Sequence, residues 1–94
     1  MLSDIPKKLD KVSKESVSME ILRAAIIAEL DAVNLYEQMA ATTDNNDIKK
    51  ILLDIAKEEK THVGEFQHLL LKLDKQQVRE LEAGKEEVEK ELKK

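Results

Sequence analysis

Glu59 and His62 stand three positions apart in EEKTH, residues 58–62, and both fall within an otherwise apolar helical stripe. A carboxylate and an imidazole one helical turn apart point the same way and can grip one cation. Upstream, Glu29 occupies the same kind of position, in the middle of a second apolar stripe. Burying such groups unpaired costs on the order of several kcal/mol each, and a bound cation relieves that cost. Oxygen and imidazole donors suit iron or manganese and admit zinc. The chain has no cysteine, which removes disulfides, thiolate zinc sites and iron-sulfur clusters together.

The elements that position these groups are helical. Among 94 residues there are two glycines and one proline, and Ala, Leu, Glu, Lys and Ile dominate. Residues 1–15 mix charge, serine and Pro6 without periodicity and read as a flexible N-terminal arm, with Ser13, Ser16 or Ser18 available to cap the first helix. Apolar positions then recur at helical spacing from about 16 to 41. TTDNND, 42–47, is a turn whose last residues can cap a second helix running from about 47 to 73. Residues 75–94 carry Val78, Leu81, Val88 and Leu92 around Gly84 and read as a short helix with a charged, partly frayed tail. The expected fold is all-α: an antiparallel two-helix hairpin over 16–74 plus the short C-terminal helix.

At ~100° per residue, Ile48, Ile51, Leu52, Ile55, Phe66, Leu69, Leu70 and Leu73 share one face of the second helix with Glu59 and His62. Glu58, Glu65 and His68 fall to its side or behind it, so the second ExxH by letter, Glu65 with His68, is set aside. On the first helix Leu22, Ala25, Ile26, Ala32, Val33, Tyr36 and Ala40 surround Glu29. In an antiparallel hairpin turning near position 44, Glu29 lies about as far before the turn as Glu59 and His62 lie after it. The three side chains should therefore meet at one level.

Di-iron carboxylate bundles take a Glu from each of two helices and an ExxH from each of the other two. One hairpin holds half of that set, and two hairpins related by a two-fold axis hold all of it. Ile27, Leu30 and Leu35 lie outside the face used by Glu29, so the first helix has further apolar surface for a partner chain to cover. Other partners are disfavoured. The 16 basic and 20 acidic residues are interspersed, with a net charge of −4 and no basic stripe, which argues against nucleic acid. MLSDIPKKLDK has no signal-peptide apolar run, and no stretch is long and apolar enough to span a membrane, so a cytoplasmic location is expected.

ELDAVNLYE, residues 29–37, followed by EEKTH, resembles the ferritin-like superfamily and most closely the encapsulated ferritins, over about residues 18–73. MEILRAAIIAELDAVNLYEQMA is especially similar to the archaeal branch fused to a shell protein. The resemblance implies a two-helix half-ferritin that dimerises into a four-helix bundle, assembles as a decamer of five dimers and works in the lumen of an encapsulin nanocompartment. It implies a ferroxidase with a di-iron centre held by Glu29, Glu59 and His62, with Tyr36 beside it. It also implies an acidic outer site, of which Asp31 matches one position while Ala28 stands where a second carboxylate is common. The closing KEEVEKELKK differs from the small, apolar docking peptide common in the family. Two readings compete with the ferroxidase: a peroxide-scavenging relative of the rubrerythrins, and a non-catalytic helical dimer whose Glu and His pair across the interface.

Overall fold

A computed structural model of the chain describes residues 13–93. Three helices account for nearly all of them: α1, Lys14–Thr42; α2, Asn46–Leu73; and α3, Lys75–Leu92. Most of the stretch expected to form the N-terminal arm, residues 1–12, lies outside the described residues.

Each helix begins on a short polar side chain that accepts a hydrogen bond from an otherwise orphaned amide. Ser13 Oγ accepts from the Ser16 amide at 3.1 Å, and Asn45 Oδ1 accepts from the Ile48 amide at 3.0 Å. Asp74 Oδ1 accepts from the Gln77 amide at 2.9 Å, while its own amide donates to the Leu70 carbonyl at 2.8 Å. Asp74 thus ends α2 and starts α3 as the single residue between them. The polar residues Thr43 to Asn45 reverse the chain between α1 and α2, and those two helices pack along their length as an antiparallel pair.

The core between them is thin. Among the described residues, Val33, Ala40, Ala56 and Leu70 are the ones buried in the single chain. Ala40 and Ala56 have the least exposure, 2% and 1%, because a methyl group at these positions lets the helix backbones approach closely. Ala56 did not figure in the sequence-derived stripe. Conversely Ile48, Ile51, Leu69 and Leu73, all assigned to that stripe, remain exposed in the isolated hairpin. The stripe is wider than one neighbouring helix can cover, so only its inner edge is buried within the chain.

At ~100° per residue, Ile21, Leu35 and Met39 of α1 and Ile51, Leu69 and Leu73 of α2 fall on the same side of the hairpin as His62. Ile27, Leu30 and Leu53 fall on the opposite side. Leu35 therefore parts company with Ile27 and Leu30, with which the sequence grouped it. The chain exposes 7631 Å² of surface, against roughly 5,500 Å² for a folded monomer of its mass. Its radius of gyration is 16.9 Å, against about 12 Å for a compact domain of this length. Both excesses describe a hairpin with uncovered apolar sides.

α3 adds to the open shape. Where the sequence suggested a short helix and a frayed tail, the chain runs helically through Gly84 to Leu92 without any positive φ. The overall extents of 47 × 45 × 20 Å are too broad for two helices side by side, so α3 projects away from the hairpin. Its first turns cross the open end, where Gln77 and Leu81 line a groove with Arg23, Ile26 and Ile27 of α1 and Leu70 of α2. No described helix is long and apolar enough to cross a membrane.

Candidate metal centre

Glu29 sits in the middle of α1, and Glu59 and His62 sit one turn apart in the middle of α2. The hairpin register brings them together as the sequence predicts. One ligand atom from each of the three lies within 4.8 Å of the others, and among the described residues this is the one cluster of His, Cys, Asp or Glu side chains with that property. His62 Nδ1 is 3.1 Å from Glu29 Oε2 and 3.3 Å from Glu59 Oε1. The register sets Val33 and Ala56 at the next level toward the turn and Ile26 and Val63 at the next level away from it. The triad is thus a polar layer between two apolar ones.

The three groups differ in access. The Glu29 and Glu59 side chains retain 20% and 18% of their exposure, whereas His62 keeps 44%. His62 lies on the uncovered apolar side of the hairpin, so the layer opens onto the surface that α1 and α2 leave bare.

Glu29 perturbs both of its neighbours in the cluster. A hydrogen bond to Glu29 pushes the Glu59 pKa above the ordinary carboxylate range, reinforced by partial burial and by the negative charge of Glu29, and only partly offset by His62. Glu29 likewise raises the pKa of His62 by accepting its hydrogen bond, against the opposing effect of desolvation, with added help from the charges of Glu29, Glu59 and Glu65. Two carboxylates and one imidazole, all within reach of a single centre, form the oxygen and nitrogen donor set that suits iron, manganese or zinc.

Asp31 lies two residues beyond Glu29 and is not a member of the three-residue cluster. Tyr36 follows Glu29 by seven residues, two turns toward the hairpin turn, and is half-buried. Within the described residues it makes no hydrogen bond to the triad. Glu65 and His68 are exposed, in keeping with their exclusion from the site. Sequence reasoning missed two supports around the cluster. Lys60, next to Glu59, pairs with Glu37, next to Tyr36, at 3.0 Å across the two helices. Arg23 Nη2 donates to Asp74 Oδ2 at 2.8 Å and ties α1 to the α2–α3 joint.

Comparison with known proteins identifies the lineage of this arrangement. The family model for rubrerythrin matches residues 20–94. The chain belongs to the rubrerythrin family. Within it, the chain is 62% identical over 79 residues to the ferritin-like-encapsulin shell fusion protein of Pyrococcus furiosus, covering 84% of this chain and 23% of that protein. It is 44% identical over 69 residues to the encapsulin nanocompartment cargo protein EncC of Myxococcus xanthus, covering 73% of this chain and 51% of that one. The chain therefore spans about half or less of the length of these two relatives. A crystal structure of the encapsulated ferritin domain from Pyrococcus furiosus superposes with a TM-score of 0.83 at 56% identity, covering 96% of this chain and 94% of that one. The resemblance to encapsulated ferritins carried by ELDAVNLYE and EEKTH is borne out, as is the all-α architecture.

Proposed function

We propose that this rubrerythrin-family chain oxidises Fe(II) at a centre completed by a second copy. Glu29, Glu59 and His62 supply half of a di-iron ligand set, and a two-fold partner docking on the bare side of the hairpin supplies the other half. The observation that carries this reading is the meeting of those three side chains in one layer that opens onto an exposed apolar face. Covering that face forms a four-helix bundle and seals the site from water.

Iron is the substrate. Two Fe(II) ions each lose one electron, and the pair reduces one O2, with two protons, to H2O2. The ligand oxygens favour the harder Fe(III) product. Any proton on Glu59 or His62, whose pKa values are both raised, leaves as the cations enter, since ligands must be deprotonated to bind. In this reading Tyr36, two turns from Glu29, hydrogen-bonds beside the completed centre, and Asp31 acts as an outer carboxylate. Fe(III) then passes to storage elsewhere, because an open assembly of such dimers encloses no mineral cavity. The cargo and shell-fusion names of the relatives support a place for this chain inside an encapsulin nanocompartment, either as separate cargo or as part of a fusion. The assembly proposed for it there is a ring of five dimers. Aerobic Fe(II) oxidation tests the activity. Wild type exceeds the buffer rate, while Glu29→Ala and His62→Ala fall to it; equal rates in all three end the ferroxidase reading.

The rubrerythrin match favours a second reading in which H2O2 rather than O2 accepts the electrons. Single-turnover oxidation of the Fe(II)-loaded protein by each oxidant separates the two. Faster reaction with H2O2 selects the peroxide-scavenging role.

A further inference from the structure

The joint between α2 and α3 is a single residue, Asp74, with φ −105° and ψ 87°. α3 makes few contacts with the hairpin beyond its first turns, so its direction depends on what holds that residue. Two bonds do so on the α3 side and the α1 side: the Gln77 amide to Oδ1 at 2.9 Å, and Arg23 Nη2 to Oδ2 at 2.8 Å. The first sets the start of α3. The second is the side-chain bond that ties this joint to α1.

Arg23 has a second acid within reach. Glu20 precedes it by three residues, the spacing at which helix side chains touch. One oxygen of Glu20, Oε2, is shielded from solvent and has no hydrogen-bond partner, a state that folded proteins normally relieve. The guanidinium already leans over this turn, with Nη2 4.0 Å from the sulfur of neighbouring Met19. Its side chain is 48% exposed, and its single-nitrogen contact with Asp74 leaves further donors open. Moving from Asp74 to Glu20 requires rotation of one solvent-accessible side chain.

We propose that Arg23 is a two-position latch for α3. Seated on Asp74, it fixes the angle at which α3 leaves the hairpin. Seated on Glu20, it satisfies the orphaned carboxylate and frees α3 to swing about Asp74. The exposed edge of α3, Val78, Leu81 and Val88, moves with it.

The absence of cysteine makes the test direct. Nitroxides at Lys57→Cys and Lys90→Cys, diluted with unlabelled chains, report the α2–α3 distance by pulsed electron paramagnetic resonance. Asp74→Asn keeps the helix cap but loses the charge that holds Arg23, so the wild-type distance is expected to broaden as α3 is freed. Glu20→Ala alone removes the alternative seat, so Arg23 stays on Asp74 and the distribution is expected to be narrower than in wild type. Far-UV circular dichroism checks that α3 remains helical in both variants. An unchanged distribution in Asp74→Asn overturns the latch. A distribution in Glu20→Ala as wide as in wild type overturns the second seat.

Discussion

His62 Nδ1 lies 3.1 Å from Glu29 Oε2, although the two residues are 33 positions apart and belong to different helices. The hairpin register alone brings them together, and the site depends on the spacing between α1 and α2 at that level. That spacing is set by Ala56, which is 1% exposed, three residues before Glu59. Ala56→Leu forces the helices apart and is expected to destabilise the chain by about 1–3 kcal/mol. It should also weaken Zn(II) binding, measured by isothermal titration, although no ligand has changed. Unaltered affinity would show that the site does not depend on this contact.

The triad was legible in the sequence because two polar groups interrupting an apolar helical period stand out, and because an antiparallel hairpin converts sequence distance from the turn into height. The helix boundaries were legible to within a few residues for a similar local reason: Ser13 is one of the three serines offered as a cap, and Asn45 falls within the polar TTDNND turn. Ala56 was not, since alanine suits the exposed and the buried face of a helix alike and only its neighbour's closeness reveals its role. The Arg23–Asp74 bond joins residues 51 apart and has no periodic signature. Nor did periodicity separate the part of the apolar stripe covered by the partner helix from the part left bare, Ile48, Ile51, Leu69 and Leu73.

That bare part predicts an assembly defect. Leu35 is 52% exposed on the side of the hairpin that carries His62. A lysine there places a charge in the centre of the proposed dimer face, where desolvation without a partner is unfavourable. Leu35→Lys should sediment as a smaller species than wild type and lose its bound iron, while far-UV circular dichroism shows the hairpin still helical. Unchanged sedimentation would place the partner elsewhere.

The raised pKa values predict an unusual pH dependence. The folded pKa values of Glu59 and His62 are both raised. Each group therefore favours the fold most fully below its unfolded pKa, and that contribution is lost as pH rises through its folded value. The melting temperature of metal-free wild type should fall relative to Glu59→Gln as pH increases from the carboxylate range through the imidazole range. Zn(II) should abolish the difference in trend. Parallel pH profiles for wild type and variant would contradict the coupling.

Asp74 works in the opposite sense. The Gln77 amide, and then Arg23, hold its pKa below the ordinary aspartate range. Its contribution is present above the unfolded pKa and is lost as pH falls through the folded one. Hydrogen exchange at the Gln77 amide should accelerate, relative to other α3 amides, as the solution is acidified through that window, and Asp74→Asn should flatten the effect. Equal pH dependence in the variant would remove Asp74 as the cause.

Gly64 is exposed in the middle of α2, and a methyl group there meets no atom within 4 Å. Gly64→Ala should stabilise the chain by up to about 1 kcal/mol through helix propensity alone, without touching iron oxidation. A lower melting temperature would mean that another chain approaches this backbone closely.

The most direct test of the account is anomalous diffraction at the iron edge from crystals soaked in Fe(II). The account predicts two iron peaks between paired chains, each bonded to Glu29, Glu59 or His62 from both copies. Iron bound by one chain alone, or placed away from these three side chains, would contradict it.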